Sequence, residues 1–386
     1  MPARRILLTR ARVVLPDSTV AGLAVLLEDD RILALDPDGA PGACEEDLSG
    51  HWLMPGLVDL HCDALEKEIE PRPGVHFPLP FAVANADRRN AACGITTVYH
   101  AISFAHDELG VRNVDMAARA ARAVHAHGPE ALVDNRVHAR WEITDPSARP
   151  VLEGLLDEHG LELLSFMDHS PGQGQFKTLE AYRDYVVRTY HRSPAEAERM
   201  AREKLDARAG ALESVAALAG LARARGSRLA SHDDDSPDRV AAMAALGVAV
   251  SEFPVNAAAA AAARRLGLST VFGAPNIVRG GSQSGSMRAL EAVQAGLADC
   301  LCADYAPATM LPAVMRLPRL CALDLPAAVR MATRAPALAA GLSDRGEIAP
   351  GLRADLVAVR DDAPDWPRVS QVWSAGRLAC RTDHPA

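Results

Sequence analysis

Short apolar runs, most of them ending at or beside polar residues, recur eight times through the middle of the chain, at 57–63, 95–101, 137–143, 161–168, 228–233, 248–254, 270–276 and 299–305. Alanine-rich stretches with helical spacing separate most of them. The segment 111–127 is one such helix. Ser193-Pro194-Ala195-Glu196 begins another, with a capping box and proline at the first helical position. The mostly alanine stretch 255–266 is a third. Strands alternating with helices predict parallel pairing, and eight of them predict an α/β fold of the (β/α)8 TIM type. The two ends are different. Residues 23–27 and 31–35 flank the acidic turn Glu28-Asp29-Asp30, and 354–359 and 369–374 precede the turn Ala375-Gly376. Both ends therefore read as β structure, and we expect one small β-sandwich domain from 1–53 plus 343–386 beside a barrel at 54–342.

Composition narrows the class. A chain of 386 residues suits a barrel with a minor domain. Its net charge of −9 argues against a nucleic-acid surface, although local arginines can still hold an anionic substrate. Seven scattered cysteines without a Cys-x-x-Cys pair fit reduced thiols. No signal-like segment and no run of about 20 apolar residues is present, so a cytoplasmic protein without a membrane partner is expected.

The polar endings of the runs carry the chemistry. His61-Cys62-Asp63 ends the first, and residues i and i+2 of a strand point the same way. Glu142, His169, His232 and Asp304 end four others. Taken singly, each has a plainer explanation. His61 suits a buried hydrogen-bonded histidine, and Asp63 a turn or helix cap. Glu142 suits a solvated carboxylate, and Asp304 a helix cap before Ala308. His169 and His232 are ambiguous, and Asp168 and Asp233 beside them read as caps. Taken together at strand ends, His61, Asp63, Glu142, His169, His232 and Asp304 form an inventory for two divalent cations. Mixed nitrogen and oxygen donors suit Zn, Mn, Fe or Co. His100 and His138 lie inside strand-like runs and read as core or pocket.

These residues resemble the amidohydrolase superfamily. Met54-Pro55-Gly56-Leu57-Val58-Asp59-Leu60-His61 carries the resemblance, with Arg345-Gly346-Glu347-Ile348 and Gly351-Leu352-Arg353-Ala354-Asp355 near the other end. It covers nearly the whole chain and implies a metal-dependent hydrolase whose last-strand aspartate, Asp304, moves protons. Two departures stand out. The usual His-x-His is His61-x-Asp63, and Lys67, Lys177 and Lys204, the three lysines present, all lie outside strand ends. Glu142 is then the available bridging ligand. Both departures are similar to a diphosphatase branch of the superfamily in phosphonate degradation by the carbon–phosphorus lyase pathway. So are Met167-Asp168-His169-Ser170-Pro171-Gly172-Gln173 and Gly273-Ala274-Pro275-Asn276-Ile277-Val278-Arg279-Gly280-Gly281-Ser282. The branch implies a small-molecule ribosyl triphosphate, bearing a 1-methylphosphonate, cleaved to the 5-phosphate and pyrophosphate. The superfamily places its two later histidines on strands five and six, whereas the runs put His169 and His232 on four and five. This offset points to a further strand before residue 161, with 270–276 as a loop extension.

Residue chemistry agrees with an anionic substrate. The Gly/Ser-rich segment from Asn276 through Arg279 and Ser282 to Gly285 offers backbone N–H groups and one guanidinium. Alone, such a stretch reads as a flexible surface loop. Lys67 and Arg72, the latter between Pro71 and Pro73, and Gln173 are further phosphate candidates. Gln175 and Lys177 read equally well as solvated residues. Another hydrolase on the same scaffold (a nucleoside polyphosphate hydrolase, a deacetylase or D-aminoacylase, or a deaminase) is the competing reading. A non-catalytic scaffold would be expected to lose ligands. A homodimer or higher homo-oligomer is the default assembly.

Overall fold

Eight parallel strands form one sheet in chain order: Leu57–Cys62, Ile95–Phe104, Asp134–Glu142, Leu163–Met167, Arg228–His232, Val250–Glu252, Ser269–Gly273 and Cys300–Cys302. This computed structural model describes residues 3–106, 110–174, 176–282, 285–360, 362 and 366–382. Helices follow the strands, among them Val114–His127, Ala148–Glu158, Pro237–Ala245, Ala257–Arg265 and Met310–Leu320. All eight expected runs contain strands, so among the described residues no additional barrel strand precedes residue 161, and the seventh strand, Ser269–Gly273, occupies part of the segment expected as a loop. His169 therefore follows strand four, and His232 ends strand five.

The sheet closes on itself by a single parallel bridge, between Cys62 and Asp304, and not by a full ladder. Asp304 N donates to His61 O at 2.8 Å, and Asp63 N donates to Asp304 O at 3.0 Å. The fully buried Asp59 carboxylate adds a clasp one turn of the pleat lower. It accepts from His61 N at 3.1 Å on its own strand and from Ala303 N at 2.9 Å across the seam. The barrel interior is filled by Val58, Leu60, Tyr99, Leu163, Ala230, Val250, Val271 and Cys302, which are all buried. Apolar helix faces pack against the outside, around residues such as Trp141, Phe166, Leu152 and Val215. Gly56 explains one fixed point of the first motif. A Cβ there would lie 2.2 Å from Thr96 Oγ1, so only glycine lets strand one approach strand two so closely.

Both ends of the chain are β structure. One sheet of four strands comes from residues before 48, and one of six strands combines Arg12–Val14, Thr19–Ala21 and His51–Pro55 with Leu356–Arg360, Arg368–Ser374 and Arg377–Arg381. The acidic hairpin forms as expected, with Val25–Glu28 antiparallel to Arg31–Leu35. Leu8, Val25, Leu27, Ile32, Leu53, Leu356 and Trp373 share one buried cluster.

Arg345 fastens the returning chain to the barrel. Its Nη1 donates to Asp134 Oδ2 at 2.6 Å, at the start of strand three, and to Thr97 Oγ1 at 2.9 Å on strand two. Burial works against the charge on Asp134, but Arg136 and Arg345 beside it outweigh burial and hold its carboxyl below the usual range. The next residue, Gly346, has φ +92°, and a Cβ there would meet the Arg334 backbone at 2.7 Å. Arg345→Met removes one of the two guanidinium groups that hold Asp134, leaving Arg136 at 3.0 Å, and we expect a loss of about 1–3 kcal/mol of stability in urea unfolding. The sign with pH follows from the lowered Asp134 pKa. This carboxylate's contribution is complete above the unfolded pKa and is lost as pH falls through the folded one, and Arg345→Met should diminish that acid dependence.

Candidate metal centre

The C-terminal ends of the barrel strands open into a cavity of about 560 Å³. His61, Asp63, His169, His232 and Asp304 all line it. The His61 and His232 ring centroids are 5.5 Å apart, and those of His169 and His232 are 5.9 Å apart. Three non-glycine residues at the mouth have left-handed backbone: Asp233 (φ 55°), Phe253 (φ 52°) and Asp304 (φ 53°). Each immediately follows or closely follows a strand. This uncommon conformation re-aims the chain where a plain continuation of the pleat would carry the side chain elsewhere.

Two carboxylates stand behind two histidines. Glu252, the last residue of strand six, has its Oε1 2.8 Å from His61 Nδ1 and its Oε2 2.7 Å from the Ser165 hydroxyl, which donates to it. His138 completes this buried group, with Nδ1 3.1 Å from Leu60 O and Nε2 3.5 Å from Glu252 Oε2. Burial pushes the His138 pKa down to about 3, and that of His61 well below its ordinary value with help from Arg140 and His232. Both rings are therefore neutral, the form that binds metals.

Glu142 stands in the corresponding place behind His169. Its Oε2 lies 3.0 Å from His169 Nδ1, and its Oε1 accepts from Thr144 Oγ1 at 2.6 Å and lies 3.4 Å from Lys204 Nζ. Burial opposes its charge, but Lys204 and His169 outweigh burial and hold the carboxyl far below the usual range. Both its oxygens thus have partners, Oε2 at His169 and Oε1 at Thr144 and Lys204. Lys204, on the long helix Pro194–Ala224, reaches the cavity although it lies at no strand end.

Asp233 had read as a cap but faces the centre. Its Oδ2 is 3.4 Å from His232 Nδ1 and 3.7 Å from His169 Nε2. Burial raises its pKa, yet the two histidines beside it win, and the carboxyl stays ionised. His169, His232 and Asp233 offer ligand atoms within 4.8 Å of one another, and so do His61, His138 and Glu252. Buried nitrogens without a hydrogen-bond partner, His232 Nδ1 and His138 Nε2, add to the case. Imidazoles beside carboxylates are a donor set for a divalent cation, so these residues fit one. The 2.8 Å contact of His61 Nδ1 with Glu252 is a hydrogen-bond spacing, leaving Nε2 as the His61 nitrogen for a ligand.

The phosphate candidates divide. Asn276, Arg279 and Ser282 line the cavity. Asn276 Oδ1 also accepts from Ala289 N at 3.0 Å, and Arg279 Nη1 donates to Tyr305 Oη at 3.1 Å. Lys67, Arg72 and Gln173 are not among the lining residues. Helix Ala64–Ile69 buries Ala64, Leu65 and Ile69, which turns Lys67 to solvent. Arg72 is exposed in a short bridge with Val75, and the Gln173 amide donates to its neighbour Gly172 O. Lys177 is exposed, and Gln175 lies outside the described residues. Sequence reasoning missed Arg140, Asp233 and Glu252. Arg140 shares strand parity with His138 and Glu142, and Glu252 is a carboxylate inside an apolar strand, so both left a faint signal. Lys204 left none. The expected consequence of the two backing carboxylates is measurable. Glu252→Gln should weaken binding of a divalent cation about 10–100-fold in equilibrium dialysis with little change in fold.

Comparisons with known proteins agree with this architecture. The model of the Amidohydrolase family matches residues 52–379. The chain is 37% identical over 379 residues to alpha-D-ribose 1-methylphosphonate 5-triphosphate diphosphatase of Escherichia coli (strain K12), covering 96% of this chain and 99% of that one. Among solved structures, N-acetyl-D-glucosamine-6-phosphate deacetylase from Mycobacterium smegmatis is similar, with TM-score 0.62 at 18% identity over 97% of this chain and 99% of that one. So is 5-methylcytosine deaminase from Klebsiella pneumoniae, with TM-score 0.64 at 16% identity over 99% of both. At such identities these structures speak for the fold alone. With a matching family model over most of its length and a full-length relative, the chain belongs to the amidohydrolase family.

Proposed function

We propose that this protein is a metal-dependent hydrolase that cleaves alpha-D-ribose 1-methylphosphonate 5-triphosphate to alpha-D-ribose 1-methylphosphonate 5-phosphate and pyrophosphate. The observation that carries this reading is the near-complete, 37% identical match to an enzyme of that name. The cavity supports it, because a His/carboxylate floor and the Asn276–Arg279–Ser282 rim share one space. In this reading the barrel, 54–342, does the chemistry, and the sheets from 1–53 and 343–386 form a β-sandwich unit beside it. No helix among the described residues is long and apolar enough to cross a membrane.

Two divalent cations would be held by His61, Asp63, His169, His232 and Asp304, with Asp233 added by its place beside the two later histidines. When bound, such cations polarise a phosphoryl oxygen and make water more acidic. The protein's own groups do the rest. Arg279, Asn276 and Ser282 at the rim bind the outer phosphates. A water oxygen bonds to the α-phosphorus while the α–β bridging oxygen leaves with the bond's electron pair on pyrophosphate. Asp304 takes the water's proton. Burial, with Asp63 and Asp59 nearby, pushes the Asp304 pKa up to about 7, against the opposing pull of Arg140. Cations beside it would lower that pKa, leaving a carboxylate that is ionised and able to accept a proton at neutral pH.

Three outcomes are expected. Incubation with ribosyl and nucleoside triphosphates, phosphate esters and amides should release pyrophosphate from a triphosphate. Orthophosphate alone, or cleavage of the amide, would sink the reading. Asp304→Asn should slow turnover about a hundredfold or more when compared with wild type at equal metal per chain by elemental analysis. Because Asp304 must be ionised to take a proton, the rate should fall as pH drops. Cations bound beside it lower its pKa, so the acid limb of kcat/KM should lie at or below about pH 7 and vanish in the variant. Phe176, Tyr182 and Tyr185 form an aromatic wall of the cavity, which favours a nucleoside triphosphate as the second reading. The same assay separates the two.

A further inference from the structure

We propose that Arg140 is a catalytic residue of this site, its guanidinium binding the phosphoryl group that is attacked. This rests on the triphosphate reading above. Arg140 lies on strand three between His138 and Glu142, on the inward-facing side, and it lines the cavity at only 6% exposure. A buried arginine is ordinarily satisfied by a carboxylate at close range, often through both arms of its fork. Arg345 shows this in the same protein, bonded to Asp134, Asp344 and Thr97. Arg140 has nothing comparable. Its Nη1 is 4.0 Å from Asp63 Oδ2, and its Nη2 is 3.4 Å from His232 Nε2. Its Nε is buried with no hydrogen-bond partner.

A planar, always-protonated fork with open donors, deep in a cavity, is a receptor for a bidentate oxyanion. Its depth says which one. Arg279 is at the exposed rim, where it bonds Tyr305, whereas Arg140 lies among His61, Asp63, His232 and Asp304, where the α-phosphoryl must sit for Asp304 to take the water's proton. Asp63, Asp233 and Asp304 would repel a triphosphate at this point, and Arg140 supplies fixed positive charge against them. Its role is to hold the non-bridging α-oxygens as charge redistributes. The guanidinium gives up no proton, so the balance of the hydrolysis is unchanged.

The test uses the full chain, loaded with the same divalent cation, as wild type, Arg140→Lys and Arg140→Met. Three quantities are measured: pyrophosphate release, metal per chain by elemental analysis, and calorimetric binding of inorganic triphosphate. For Arg140→Met we expect kcat/KM to fall by about 10³–10⁵-fold and triphosphate to bind at least about tenfold more weakly, with metal per chain unchanged. Arg140→Lys, which keeps the charge without the fork, should remain strongly impaired, and added guanidinium ion should partly restore Arg140→Met. Retention of kcat/KM within about tenfold overturns the proposal. So does binding of an extra cation per chain by Arg140→Met, since Arg140 would then be standing in for a metal. If wild type releases no pyrophosphate from any triphosphate, the functional reading fails by itself. The calorimetric comparison then still decides Arg140: unchanged triphosphate affinity overturns its role, and weakened affinity upholds phosphate binding.

Discussion

The seam between the first and last barrel strands is the constraint on which the site depends. Only a few bonds close it: the paired backbone contacts of His61 and Asp63 with Asp304, and the Asp59 carboxylate spanning from His61 N to Ala303 N. Those same bonds fix three of the residues that line the cavity floor. A buried carboxylate without a cationic partner is costly, and burial pushes the Asp59 pKa up to about 7. It is tolerated because two backbone N–H groups that would otherwise go unpaired at the seam find their acceptor there. Closing the barrel and assembling the centre are therefore one event.

Around this seam the charges are arranged in a consistent order. His61 and His138 are neutral because burial and neighbouring cations disfavour their protonation. Carboxylates stand behind them, Glu252 at His61 and Glu142 at His169, and fix which ring nitrogen remains for a ligand. Lys204 approaches Glu142 from a helix far along the chain, which keeps that carboxylate ionised despite full burial. The strained backbone at Asp233 and Asp304 belongs to the same order, since both carboxylates face the cavity from residues that no regular strand would aim there.

The terminal sheets bear on the site indirectly. Arg345 holds the returning chain against strands two and three at their beginnings, the end of the barrel opposite the cavity. Stability and chemistry thus occupy opposite ends of the strands, as in other barrels of this type. The glycines of the two terminal motifs, Gly56 and Gly346, serve close packing and not catalysis.

Much of this was legible before any coordinates. The alternation of apolar runs and alanine-rich stretches determined eight strands in order, because strand and helix periods are local properties of the chain. His61, Asp63, His169, His232 and Asp304 were legible for the same reason: polar residues that end buried runs have few places to go except the barrel mouth. What the sequence left open is how side chains meet. Nothing local says that Glu142 turns to the back of His169, that Glu252 reaches His61 across 191 residues, or that Lys204 arrives from a helix. Lys67 and Arg72 were credited to the cavity for standing near His61 in sequence, but the buried face of helix Ala64–Ile69 turns Lys67 outward, and Arg72 lies beyond that helix, exposed. Strand register, helix rotation and barrel closure decide these contacts, and each depends on packing between segments that no single stretch of the chain contains.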